Sequence, residues 1–124
     1  MNNLLEGKNG IIFGALDDKS IAWKVAEECV ANGAKIVLTN APTALRLGSI
    51  SELAKKCNTE VISADATSLE DLENLLTKSM EIFNGKIDFM LHSIGMSVNV
   101  RKKRPYTDLN YDYLMKGLDV SAVS

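Results

Sequence analysis

Apolar residues follow two spacings in alternation along this chain. Over 9–14, Ile11, Ile12 and Phe13 form a short run bounded by glycines. The run is too brief for a helix and suits a strand buried on both faces. Over 20–32, Ile21, Ala22, Val25, Ala26, Cys29 and Val30 recur at three- and four-residue intervals, with Lys24, Glu27 and Glu28 opposite. That spacing predicts an amphipathic helix, stopped by Gly33 as its C-terminal cap. The alternation then repeats. A strand over 34–39 centres on Ile36, Val37 and Leu38, and a helix over 44–56 is entered through a turn at Pro42-Thr43. A strand at 61–64 precedes a helix capped by Ser68, with Asp71 at its third position, Leu69, Leu72, Leu75, Leu76, Met80 and Phe83 on one stripe, and its end at Asn84-Gly85. A fourth strand spans 87–91. The pattern lapses over 96–109, a polar loop holding Arg101-Lys102-Lys103-Arg104, and helical spacing resumes after Asn110 with Tyr111, Leu114, Met115 and Leu118.

Strands alternating with helices predict an α/β fold, a Rossmann-like doubly wound parallel sheet in three layers with right-handed crossovers. About four strands are visible, so the sheet is read as incomplete. Such sheets bind ligands outside the carboxyl ends of their strands, which points to the residues following Phe13, Thr39, Ala64 and His92.

Composition narrows the function classes. The 124 residues suffice for one core, and 46% hydrophobic with 24% charged residues excludes a disordered or fibrous chain. Fourteen basic against sixteen acidic residues, a formal charge of −2, provide no field for a polyanion, so nucleic acid is not an expected partner. No stretch approaches the roughly 20 apolar residues of a membrane helix, and residues 1–6 lack the basic start and apolar core of a signal peptide. A cytoplasmic chain with no membrane partner is the expectation. Cys29 and Cys57 have neither metal-clip nor CxxC spacing and are expected as buried or half-buried free thiols.

Candidate chemistry gathers at the strand ends. Gly14 is the only glycine in the first strand-to-helix turn, so the G-x-G-x-x-G fingerprint is absent. Gly14 still lets the backbone approach a pyrophosphate, while amides around Ser20 and Ile21 and the Ser20 hydroxyl offer donors at a helix N-terminus. The plainer reading has Gly14 permitting a turn and Ser20 capping a helix. The second strand ends in uncharged Thr39-Asn40-Ala41-Pro42, without the acid that grips an adenosine ribose and without an adjacent cation for a 2′-phosphate, which favours NADH over NADPH. Asp65 and Ala66 can meet an adenine, or Asp65 can cap its own loop through the Thr67 or Ser68 amide. His92, the sole histidine, reads as a packed, hydrogen-bonded residue rather than an acid or base, and His92-Ser93-Ile94-Gly95 offers small residues for a ribose. The basic run reads as a solvated loop, or as an attractor for an acidic carrier protein or a phosphopantetheine phosphate.

Gly14 followed by Ser20-Ile21-Ala22, then Asp65-Ala66, then His92-Ser93-Ile94-Gly95 together resemble the divergent short-chain dehydrogenase/reductase pattern of bacterial enoyl-[acyl-carrier-protein] reductases. The resemblance covers nearly the whole chain. It implies NADH as cofactor, an enoyl-acyl carrier protein as partner, and reduction of the trans-2 double bond of an enoyl thioester in fatty-acid biosynthesis. It places Gly14, Ser20 and Ile21 at the pyrophosphate, Asp65 and Ala66 at the adenine, Ser93, Ile94 and Gly95 on the nicotinamide side, and Ser97 at the acyl chain. It also implies a homotetramer at full length. Lys24, and Ala41 where the family often carries glutamine, depart from the pattern.

The family's catalytic tyrosine is followed seven residues later by a lysine. Tyr106, Tyr111 and Tyr113 are followed at that distance by Tyr113, Leu118 and Val120. No catalytic residue is therefore assigned within this chain. Residues 1–124 are read as the N-terminal half of a single NAD(P)-binding Rossmann domain, inactive alone and with an exposed apolar face along the fourth strand. The alternatives are a phosphoacceptor receiver domain built on Asp17-Asp18, Asp65, Ser93 and Lys103, another short-chain reductase, or a non-catalytic nucleotide-binding module. An acidic pair three residues past its strand and lysines with no preceding fifth strand argue against the receiver.

Overall fold

The computed structural model describes residues 3–42, 45, 49–94, 102–103, 105 and 110–123. Its elements run β1 (Asn9–Phe13), α1 (Ile21–Ala31), β2 (Lys35–Asn40), α2 (Ile50–Lys56), β3 (Val61–Ser63), α3 (Leu69–Phe83), β4 (Phe89–Leu91) and α4 (Tyr111–Leu118), followed by a π-helical turn at Asp119–Val123. They fall into two compact units divided between Ser93 and Ile94.

The first unit is a four-stranded parallel sheet in the order β3-β2-β1-β4. Gly10 of β1 stands level with Ile36 on one side and Phe89 on the other. The β4 neighbour constrains it: a β-carbon at Gly10 would overlap the Phe89 ring. From β1 the chain steps outward to β2 and β3, then returns across the sheet to β4. Right-handed crossovers therefore put α1 and α2 on one face and α3 on the other.

Alternation along the strands supplies both faces. Ile12, Ile36 and Leu38 pack with Ala22, Trp23, Ala26 and Cys29 of α1 and with Ile50, Leu53 and Ala54 of α2. Ile11, Phe13, Val37 and Thr39 occupy the alternate positions and are equally buried. Trp23 joins this core while Ile21 is 76% exposed, so the buried face of α1 is rotated from the predicted stripe. On α3 the buried line is Leu75, Ser79 and Phe83, with Leu69 and Met80 exposed.

Helix ends follow local chemistry. The Ser68 hydroxyl accepts the Asp71 N–H at 3.3 Å, the cap expected for α3. Asn84 in a left-handed conformation ends that helix. Gly33, at φ +96°, turns the chain after α1. In the region of the helix predicted over 44–56, Leu45 is helical and a continuous helix runs from Ile50 to Lys56, while residues 44 and 46–48 lie outside the described residues. Cys29 and Cys57 are free and buried, and burial pushes both thiols up.

In the second unit the Asn110 side chain accepts the Tyr113 N–H at 3.1 Å and starts α4. Lys102 donates from Nζ to the Tyr113 hydroxyl at 3.0 Å and lies 5.0 Å from that ring's centroid. Among the described residues, no helix is long and apolar enough to cross a membrane.

Candidate functional site

Four parallel strands sharing one direction bring the ends of β1, β2, β3 and β4 to a single rim of the sheet. The chain leaves β1 toward β2 on one side and meets β4 on the other, so the switch point lies between β1 and β4. Gly14 sits at that point with φ +90°, and a β-carbon there would overlap the Ser93 carbonyl oxygen at the end of β4. Only a residue without a side chain fits between these two strand ends.

The turn from β1 to α1 is held from both sides. Ser20 is the N-cap position of α1, yet its side chain makes no capping bond. Instead its Oγ accepts the N–H groups of Leu16 at 3.0 Å and Asp17 at 3.1 Å. The hydroxyl keeps its own hydrogen for an incoming acceptor, and the first amides of α1 have no intrahelical acceptor. Ser20 thus shapes the turn and does not consume the helix terminus, whereas Ser68 and Asn110 cap α3 and α4. From the other side, Gly14 N–H donates to the Thr39 carbonyl at 3.2 Å, and Ser49 N–H to the Leu16 carbonyl at 2.9 Å. Asn40 Nδ2 donates to the Ala15 carbonyl at 2.9 Å. Thr39 is fully buried, and its Oγ1 has no hydrogen-bond partner.

At the end of β3, Asp65 is exposed and its Oδ1 accepts from the Thr67 amide at 2.9 Å and the Thr67 hydroxyl at 2.6 Å. Its own N–H donates to Asp71 Oδ2 at 2.9 Å. The loop-capping interaction is therefore present. Ala66 beside it is half-buried.

Gly14, Ser20, Ile21, Asp65, Ala66 and Ser93 all lie in the first unit, where the strand ends gather them on the rim. Ile94 is half-buried and belongs to the second unit. Gly95 and Ser97 lie outside the described residues. His92 is exposed, not packed, because β4 has ended at Leu91 before reaching it. A cleft of about 840 Å³ opens at the opposite end of the sheet around Ala34, Lys35, Cys57 and Glu60, away from the turn and its unpaired donors.

A short glycine-started turn, an uncapped helix start and a third loop carrying the Asp65 carboxylate suit a dinucleotide laid across the strand ends. The model for the family described as Enoyl-(Acyl carrier protein) reductase matches residues 14–124. The chain belongs to that family. It is 30% identical over 125 residues to Enoyl-[acyl-carrier-protein] reductase [NADH] 2 of Rhizobium meliloti, covering all of this chain and 46% of the relative. To Enoyl-[acyl-carrier-protein] reductase [NADH] of Mycolicibacterium smegmatis it is 33% identical, covering 47% of that protein. The crystal structure of the FabI–NADH complex from Alistipes finegoldii is 67% identical, with a TM-score of 0.95 over 98% of this chain and 43% of that one. The chain spans a little under half the length of the relatives it matches.

Membership in the reductase family disfavours the phosphoacceptor reading. Asn40 is the site residue that sequence reasoning passed over. An amide side chain at the carboxyl end of a buried parallel strand was the signal available, since it must find partners there.

Proposed function

We propose that this chain forms the dinucleotide-binding part of an NADH-dependent enoyl-[acyl-carrier-protein] reductase. The β1–α1 turn carries the reading: a glycine wedged against the end of β4, a serine hydroxyl organising the turn, and a helix start left open for an anion. Gly14, Ser20 and Ile21 hold the pyrophosphate, Asp65 and Ala66 the adenine end, and Ser93, Ile94 and Gly95 the nicotinamide side. Ser97 meets the acyl chain. The uncharged β2 terminus favours NADH over NADPH. NADH, when bound, supplies the hydride that reduces the enoyl thioester.

The residues of this chain bind and orient. Amides at the start of α1 meet the phosphate charge at the positive end of the helix dipole, and the Ser20 hydroxyl donates to it. Gly14 lets the backbone come within reach. No tyrosine here is followed seven residues later by a lysine, so residues 1–124 alone bind cofactor without turning it over. They constitute the first half of one Rossmann domain whose complete form acts in the cytoplasm as a homotetramer on an acyl carrier protein.

Thermal unfolding with and without NADH tests this. Free NADH at a hundred times its Kd stabilises a binding chain by about 2.7 kcal/mol, a rise in Tm of several degrees at this size. NADPH at the same concentration produces a smaller rise. No NADH consumption follows addition of a crotonyl thioester. An unchanged Tm overturns the binding role, and steady NADH oxidation by the pure chain overturns its inactivity.

A further inference from the structure

The uncharged end of β2 has a task of its own. Asn40 is half-buried where the strand meets the rim. Its Oδ1 accepts the Ala41 N–H at 2.9 Å, and its Nδ2 donates to the Ala15 carbonyl at 2.9 Å. The two bonds need opposite ends of the amide, so each fixes the orientation of the other. The Ala15 carbonyl belongs to the turn that Ser20 organises from within. Asn40 is the only side chain of β2 that the described hydrogen bonds link to that turn.

We propose that Asn40 is a positioning residue for the dinucleotide, clamping the β1–α1 turn to β2 so that the α1 amides face the pyrophosphate. This rests on the NADH-binding reading above. Asn40 acts through Ala15 and does not touch the cofactor. The chemistry requires an amide. A carboxylate of the same size has no hydrogen to give Ala15, and its oxygen would face the carbonyl oxygen. The acid that commonly reads an adenosine ribose at the end of this strand would therefore loosen the phosphate turn in this chain.

The test compares N40D and N40A with the wild-type chain by NADH titration at neutral pH, after far-UV circular dichroism has established that each is folded. D88N, altered at the opposite end of the sheet, serves as a variant of reduced stability. Both Asn40 variants are expected to raise the Kd about tenfold, with N40D the weaker binder, while D88N leaves it unchanged. Binding of NAD⁺, which withstands acid, gives the readout that a purely structural role would not move. N40D regains affinity as pH falls and its carboxyl protonates near its ordinary value of about 3.9, becoming a donor to Ala15, whereas N40A and wild type do not. If wild type binds NADH and both folded Asn40 variants bind equally well, the clamp is wrong and the cofactor reading stands. If both variants fail to fold, Asn40 serves folding and the positioning role is overturned. If wild type itself fails to bind, the cofactor reading falls and takes this inference with it.

Discussion

At the scale of single residues, Gly14 is the most constrained position on the rim. Its φ of +90° lies where side chains are strained, and the Ser93 carbonyl fills the space a methyl group would need. Gly14→Ala must either bend the backbone or push β4 away from β1. Backbone strain of this kind costs about 1–3 kcal/mol, and the displaced carbonyl adds to it. The unfolding free energy from urea titration is expected to fall by that amount, seen as a lower midpoint with an unchanged m-value, and NADH affinity is expected to fall with it. A variant with wild-type stability would show that the strand ends have room to spare. Gly7 makes the contrast: it also has positive φ, but nothing lies within 4 Å of a β-carbon placed there.

At the scale of elements, β1 and β4 are joined by more than ladder bonds. Asp88 N–H donates to the Asn9 carbonyl at 2.7 Å, the Asn9 N–H donates back to Asp88 Oδ2 at 2.8 Å, and Asn9 Nδ2 donates to the Lys86 carbonyl at 3.0 Å. Lys86 Nζ pairs with Asp88 Oδ1 at 3.1 Å. The Asn9 N–H, with Lys86 beside it, holds the Asp88 carboxyl below its ordinary value of 3.8. A carboxylate depressed in the folded state contributes stability that is fully present above its unfolded pKa and is lost as pH falls through the folded value. Asp88→Asn is therefore expected to weaken the chain at neutral pH and to match wild type once both are acidified below that value. Chemical denaturation at a series of pH values checks this, and parallel curves would refute it.

The same clamp explains which boundaries were readable beforehand. The sequence predicts β4 over 87–91, but the Asp88 carboxylate takes the Asn9 N–H that a strand partner would otherwise satisfy with a carbonyl, and the strand starts at Phe89. Ser68 with Asp71 three residues on was legible as a cap because a cap is local. Ser20 looks the same in sequence, yet its hydroxyl serves two amides of a turn whose shape depends on β2 and β4, and local pattern carries no trace of them. The parallel sheet was legible for the opposite reason: strands alternating with helices permit few arrangements. The Asn40 clamp joins residues 25 apart and is visible only once β1 and β2 lie side by side.

For the whole molecule, the position of β4 sets the behaviour in solution. Among the described strands it pairs with β1 alone, and Met90 on it is 54% exposed. A parallel sheet normally buries its strands on both faces and both sides, and a strand with one side open is a template for another chain. The relatives this chain matches are about twice its length. Chains of 124 residues are accordingly expected to associate as concentration rises, followed by light scattering across a dilution series. Met90→Lys places a charge on the open strand, the device natural edges use against pairing. It is expected to suppress association while moving stability by no more than about 0.5 kcal/mol, as for an exposed site. If wild type stays monodisperse and unfolds cooperatively at the highest concentrations reached, β4 is a finished edge and the reading of residues 1–124 as half a sheet loses its physical basis.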